Sequence, residues 1–377
     1  MRRRRIGLGL LLAVPLMAAG VFLGAYSVLR HDTTGKDKPA AYGDLRDPDA
    51  LHKIDPGQVG WRLSGQIALA MQQPRAIAVG PTDRIYVAAQ DGIFVYDGAG
   101  HQQAHWELAE PWCLAAAEDG RLFVGLTDRV VVLDSQGITK ASWAGLGERA
   151  FLTSIALGPE EVLVADAGNR LLHRFDYSGK PLGSIGQKDP DKNCEGFVLP
   201  SHHFDVAIGP DGLIRAADTG RHRLEAFTPD GQMEFAWGRF GLDVAGFCGC
   251  CNPAAFAILP DGRFVTAEKG LPTVKVYKPD GPPDGRGALE SVVAGPGQFK
   301  DERTGMLVED AEKQVLDVAV DSRGRVLVLD PLNRKVRVYE AIGKTLNGTP
   351  VPSSEPGPGN PGQTATAPSA GGGGIGF

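Results

Sequence analysis

Ile155-Ala156-Leu157-Gly158-Pro159, then Val164-Ala165-Asp166-Ala167-Gly168-Asn169-Arg170, then His173-Arg174-Phe175-Asp176-Tyr177-Ser178-Gly179 is the stretch that decides the fold. It holds three short β-rich runs, separated by turns built on Gly, Asp and Asn. Alternating apolar and polar side chains read as strands, and Gly or Asn supplies the positive φ that tight turns require. One such unit cannot bury both faces of its small sheet alone. It needs neighbours.

The chain supplies them. Ala76-Ile77-Ala78-Val79 leads through 84–87 to 92–97, and Leu114 leads through 119–124 to 130–134. Asp205-Val206-Ala207-Ile208 leads through 210–220 to 224–227, and Ala255-Phe256-Ala257-Ile258 leads through 260–265 to 274–277. Asp317-Val318-Ala319-Val320 leads through 323–330 to 336–339. With the first stretch this makes six units, usually with a fourth run after a second Gly turn, as in Glu234-Phe235-Ala236-Trp237. The composition agrees. Gly 51 and Pro 27 form about a fifth of the 377 residues, well above average usage near 12%. Those are the two poorest helix formers, and there is neither a heptad nor a Gly-X-Y period. The fold class expected is all-β, a ring of six sheets.

The motif of 155–179 resembles an NHL repeat, with further good versions at Ala217-Asp218-Thr219-Gly220 and at Leu329-Asp330 with Asn333-Arg334. The first two units are degenerate. The resemblance covers about 280 residues and implies a six-bladed β-propeller. Because that fold serves lyases, lactonases, sensors and docking surfaces alike, it leaves the function open. The sixth unit lacks a fourth run. The unclaimed segment Gly60-Trp61-Arg62-Leu63-Ser64-Gly65-Gln66-Ile67 is therefore expected to close the ring.

Four domains follow. Residues 1–30 read as a signal anchor: after Arg2-Arg3-Arg4-Arg5, Ile6 to Leu29 carries no charged side chain over 24 residues. As a helix this spans about 36 Å, enough for a hydrocarbon core of about 30 Å. The length favours an uncleaved single-pass helix over a cleaved signal peptide. The arginines place its N-terminus in the cytoplasm and the propeller outside, in the periplasm. Residues 31–56 read as a polar linker, 57–342 as the propeller, and 343–377 as a disordered Gly/Pro-rich tail. Lys+Arg 39 against Asp+Glu 45 gives a net charge of −6. With no basic stripe in the remainder, a nucleic-acid partner is excluded.

The inner runs begin near 77, 114, 155, 206, 256 and 318, so three junctions are long: 187–200, 238–253 and 287–314. In a propeller such junctions share a face with the turns between second and third strands, around one mouth of the channel. A protein or small-ligand partner is expected there.

All five cysteines fall at junctions: Cys113, Cys194, Cys248, Cys250 and Cys251. Three readings of the Cys248-Gly249-Cys250-Cys251 run stay open. Cys194 and a cluster cysteine form a disulfide outside the cytoplasm. Alternatively Cys194, Cys248, Cys250 and Cys251, with His202 or His203, hold copper, zinc or an iron–sulfur centre. A thiol-exchange role is the third. On the same face Arg170, Arg221, His222, Lys269 and Arg334 form a candidate collar for an anion, set against a purely structural role for the Arg after Asn. Asp166, Asp218, Glu268 and Asp330 end the second runs. They are expected to cap turns through backbone N–H groups, or else to turn inward and hold Ca²⁺. The leading function is a binding or scaffold module; the alternative, implied by the fold, is a metal-dependent lyase or lactonase. Carboxylates and histidines pointing into one channel mouth would favour the enzyme.

Overall fold

The computed structural model describes residues 54–278, 287–308 and 314–343. The expected anchor over 1–30, the linker up to residue 53 and the tail beyond Gly343 lie outside the described residues. Among the described residues no helix is long and apolar enough to cross a membrane.

Strands of three to eight residues form six four-stranded sheets among the described residues. Five are antiparallel meanders in sequence order, running from an inner to an outer strand. The first, for example, comprises Pro74–Val79, Ile85–Ala89, Gly92–Tyr96 and Gln102–Glu107. The inner strands touch in succession, and the last, Asp317–Val320, touches the first, Pro74–Val79. That contact closes a ring: the chain is an all-β six-bladed propeller.

Burial explains the strand patterns. Middle strands such as Ile85–Ala89 and Val162–Asp166 are buried along their whole length, because blades cover both faces. Outer strands such as Thr139–Ser142 are largely exposed. Apolar side chains gather into six clusters among the described residues, each holding strands of two neighbouring blades. The core is thus a wheel of interfaces rather than one centre.

The sixth blade takes its outer strand from the start of the domain. Trp61–Ala68 pairs antiparallel with Lys335–Ala341, from Trp61 opposite Ala341 to Ala68 opposite Lys335. Trp61 is buried, and its indole N–H donates to Ser291 Oγ at 3.2 Å. The closing strand expected from the unclaimed segment is present.

One expected junction is revised. Residues 287–314 are not all insertion, since Leu289–Ala294 is the outer strand of the fifth blade, followed by a short 3₁₀ turn at Pro296–Phe299.

Candidate functional site

Six positions, one from each inner strand or its first flanking residue, ring the channel: Ala76, Cys113, Ser154, Asp205, Ala255 and Asp317. Five lie across from Ala88, Gly125, Ala165, Ala267 and Leu329 of the adjoining strands. Asp205 is placed by the bond from Ala217 N–H to its carbonyl at 3.0 Å. All six line one cavity of about 1300 Å³.

Two of the six are carboxylic acids, and both tie blades together. Asp205 accepts from Ser154 Oγ at 2.5 Å in the third blade and from Phe256 N–H at 2.7 Å in the fifth. Its own neighbour Val206 N–H donates as well, at 2.9 Å. Asp317 accepts from Ile77 N–H in the first blade and Val318 N–H, each at 2.8 Å. Burial disfavours the charged form of both. It raises the Asp205 carboxyl to about 6 against its three hydrogen bonds. Burial, then the nearby charge of Asp205, raises Asp317 to about 7. Both are enclosed by protein yet only half-buried, since the channel itself reaches them. Cys113 shares this space. Its thiol is pushed far up by burial, and the two carboxyls push in the same direction. A Cβ on Gly125 would sit 2.4 Å from its sulfur, so the glycine makes room for it.

Above this ring, the first four blades contribute an arc of flat groups. The Arg75 guanidinium lies 3.9 Å from the centre of the Trp112 ring and pairs with Glu110 at 2.7 Å. Trp112 packs against Phe151 with ring centres 4.8 Å apart, and Phe151 against His202 at 4.6 Å. All four line the cavity. Across it stand Glu302, Arg303, Asn333 and Arg334. The geometry offers a stacking surface above and hydrogen-bonding carboxyls below.

The acids ending the second strands do cap turns. Asp166 accepts from Asn169 N–H at 3.0 Å, Asp218 from Arg221 N–H at 3.1 Å, and Asp330 from Asn333 N–H at 3.2 Å. Each also pairs with a cation or imidazole: Asp166 with His173 at 3.1 Å, Asp330 with Arg337 at 2.9 Å, and Asp218 with Arg221. In the fifth blade Glu268 pairs with Lys275 at 2.5 Å, both buried. Burial works to raise the Asp166 carboxyl, but hydrogen bonds from His173, Phe151 and Asn169 hold it down at about 2. None of these four lines the cavity. Asp205 and Asp317, which do line it, already accept backbone N–H groups, and among the described residues no group of three or more His, Cys, Asp or Glu is arranged to hold a metal. The channel does not fit the Ca²⁺ expectation.

Among the described residues the cysteines are not gathered into a metal-holding group either. All five are free thiols, so the expected disulfide is absent among the described residues. Cys194 is buried among Ile185, Phe197 and Leu199 at the interface of the third and fourth blades. Cys248 is held elsewhere, its N–H donating to Glu268 Oε2 at 3.0 Å. Only Cys250 and Cys251 meet, sulfur to sulfur at 3.3 Å. His202 and His203 line the cavity, in the connection just ahead of the inner strand Val206–Ile208. Lys275 explains the separation: its ammonium donates to Val244 O at 3.0 Å and Gly246 O at 2.8 Å, anchoring the second junction over the fifth blade.

The collar is likewise dispersed. Arg221 donates to Gly196 O at 2.6 Å as well as to Asp218, and Lys269 is buried. His222 is half-buried beside Phe240, and burial lowers its pKa. Arg170, His222 and Arg334 occupy equivalent left-handed turn positions, with φ of 58°, 56° and 50°. Arg170 and Arg334 are exposed, and of the proposed face residues only Cys113 and Arg334 line the cavity.

Fold and site together define a class: a six-bladed propeller with a polar-floored, aromatic-rimmed channel mouth. No protein-family model matches the chain. No curated protein matches it either. Solved structures do. A virginiamycin B lyase from Staphylococcus aureus superposes with a TM-score of 0.50 at 12% identity, covering 75% of this chain and 100% of that one. A catalytically inactive form of that lyase with quinupristin gives 0.51 at 12%, with the same coverage. A protein of unknown function from Bacteroides thetaiotaomicron gives 0.50 at 14%, over 74% of this chain and 75% of that one. At such identity the likeness carries the fold alone.

Proposed function

We propose that the chain is a membrane-anchored, periplasmic propeller of the NHL-repeat kind whose channel mouth binds a small molecule. The ligand lays a flat ring on the Trp112–Phe151–His202 arc and offers a hydrogen-bond donor to Asp205 and Asp317. One observation carries the reading: the arc and the two carboxyls face the same 1300 Å³ cavity. An aromatic amine has this chemistry, and tryptamine is the simplest probe. Titration calorimetry should give measurable affinity for tryptamine and weaker affinity for indoleacetate, whose carboxylate meets like charge. Trp112→Ala and Phe151→Ala should each weaken tryptamine binding by about tenfold, the worth of one aromatic contact of about 1.4 kcal/mol. Equal binding by both variants would remove the arc from the site.

A second reading, a propeller enzyme, draws support from the same floor, where carboxyls and histidines point into one channel mouth as the enzyme expectation required. Asp205 and Asp317, with acid strengths of about 6 and about 7, stand in one cavity with His202 and His203. Such groups exchange protons near neutral pH, as general acids and bases must. The virginiamycin B lyases show that this architecture can host an enzyme. A bound ligand recovered chemically altered after incubation would favour this reading; one recovered unchanged favours binding.

A further inference from the structure

Cys250 and Cys251 stand apart from the other thiols. Their sulfurs are 3.3 Å from each other, with Cys250 exposed and Cys251 only 1% exposed. The loop bearing them is fixed on both sides. Before the pair, Cys248 N–H is bound to Glu268, and Gly249 takes a φ of +90° that turns the backbone. After it, the Asn252 side chain donates to Lys269 O at 3.0 Å and accepts from Lys269 N–H at 2.9 Å, while its amide also reaches back to Cys248 O. Cys251 lies beside Ser201, next to the His202 that rims the cavity. One thiol faces solvent, and its neighbour waits behind it in a held loop.

We propose that Cys250 and Cys251 form a redox-active vicinal dithiol, with Cys250 the attacking thiol and Cys251 the resolving one, exchanging with an external disulfide. Cys250 as thiolate attacks one sulfur of that disulfide, and the expelled partner thiolate takes up a proton. Cys251 loses its proton and attacks the Cys250 sulfur, breaking the mixed disulfide and releasing the second partner thiol. The pair gives up two electrons and two protons, and the external disulfide becomes two thiols. Neighbouring Cα atoms are about 3.8 Å apart across a trans peptide, below the span of about 4.4–6.8 Å usual for a disulfide. The resulting ring is strained, and strained disulfides are the labile, regulatory ones. The exchange is therefore reversible. Cys194, buried between the third and fourth blades, and Cys113, buried in the channel wall where its thiol is held protonated, take no part.

The test uses the full-length chain and dithiodipyridine, a disulfide whose released thiopyridone is coloured. Reaction, acid quench, alkylation and peptide mass analysis follow. The expected result is a 250–251 pair two hydrogens lighter, with no adduct and no alkylation, restored by a reductant. Cys251→Ser should instead trap a stable mixed disulfide on Cys250, and Cys248→Ser should behave as the unsubstituted chain. The wild-type mass stands as a test even if Cys251→Ser fails to fold. A lasting adduct on Cys250 with Cys251 still open to alkylation would overturn the proposal. So would loss of the oxidised pair in Cys248→Ser, which would name Cys248 as the resolving thiol.

Discussion

Asp205 and Asp317 set the chemistry of the channel, and their cost to the fold has a sign. In the unfolded chain an aspartate loses its proton near pH 3.9, whereas in the folded protein these two hold theirs to about 6 and about 7. Between those limits the folded state binds more protons than the unfolded one, so stability falls as pH rises. Asp166 works in reverse: held at about 2, it contributes stability above the unfolded value that is lost as pH falls through the folded one. Urea unfolding of Asp205→Asn/Asp317→Asn across pH 4–7 should show a flatter decline than the parent. A parallel decline would mean that the carboxyls ionise normally. Both residues stood in view in the sequence, opening the twin runs Asp205-Val206-Ala207 and Asp317-Val318-Ala319. Which way they point was not legible. Inner strands here are short, and bulges shift the pairing in some blades, as between Leu152 and Ser154. A shift of one residue reverses the side a residue faces.

The strands were the most legible elements, because alternation and turn chemistry act within one unit and need no distant partner. The capping role of Asp166, Asp218 and Asp330 was readable for the same reason. The arc was not: Trp112, Phe151 and His202 come from three connections of different length, and no period links them. The cysteine cluster misled in the other direction, since sequence proximity of Cys248 to Cys251 suggested one site while Glu268 and Lys275 hold that loop in place. The closing strand, by contrast, followed from counting what the sixth blade lacked. Its anchor is Trp61, packed with Val293, Val318 and Tyr339. Trp61→Ala should cost about 3–5 kcal/mol in denaturant unfolding. A loss under about 1 kcal/mol, the worth of the single indole hydrogen bond to Ser291, would mean the ring closes through backbone pairing alone.

At the scale of the whole molecule, the propeller distributes its core over six interfaces and leaves a cavity along the axis. Each blade edge is covered by the next, so the inner strands can spare polar residues for the channel without opening the core. Ring closure was legible because repetition fixes the architecture. The chemistry of the channel was not, because repetition is silent about the residues that break it: Cys113, Ser154, Asp205 and Asp317 at four of six equivalent places, with Ala76 and Ala255 at the other two. The most direct measurement is a crystal of the propeller soaked with tryptamine. The account predicts density for the indole against Trp112 and Phe151, with the amine within hydrogen-bond reach of Asp205 or Asp317. Tryptamine ordered elsewhere on the propeller, with the channel mouth empty, would contradict it.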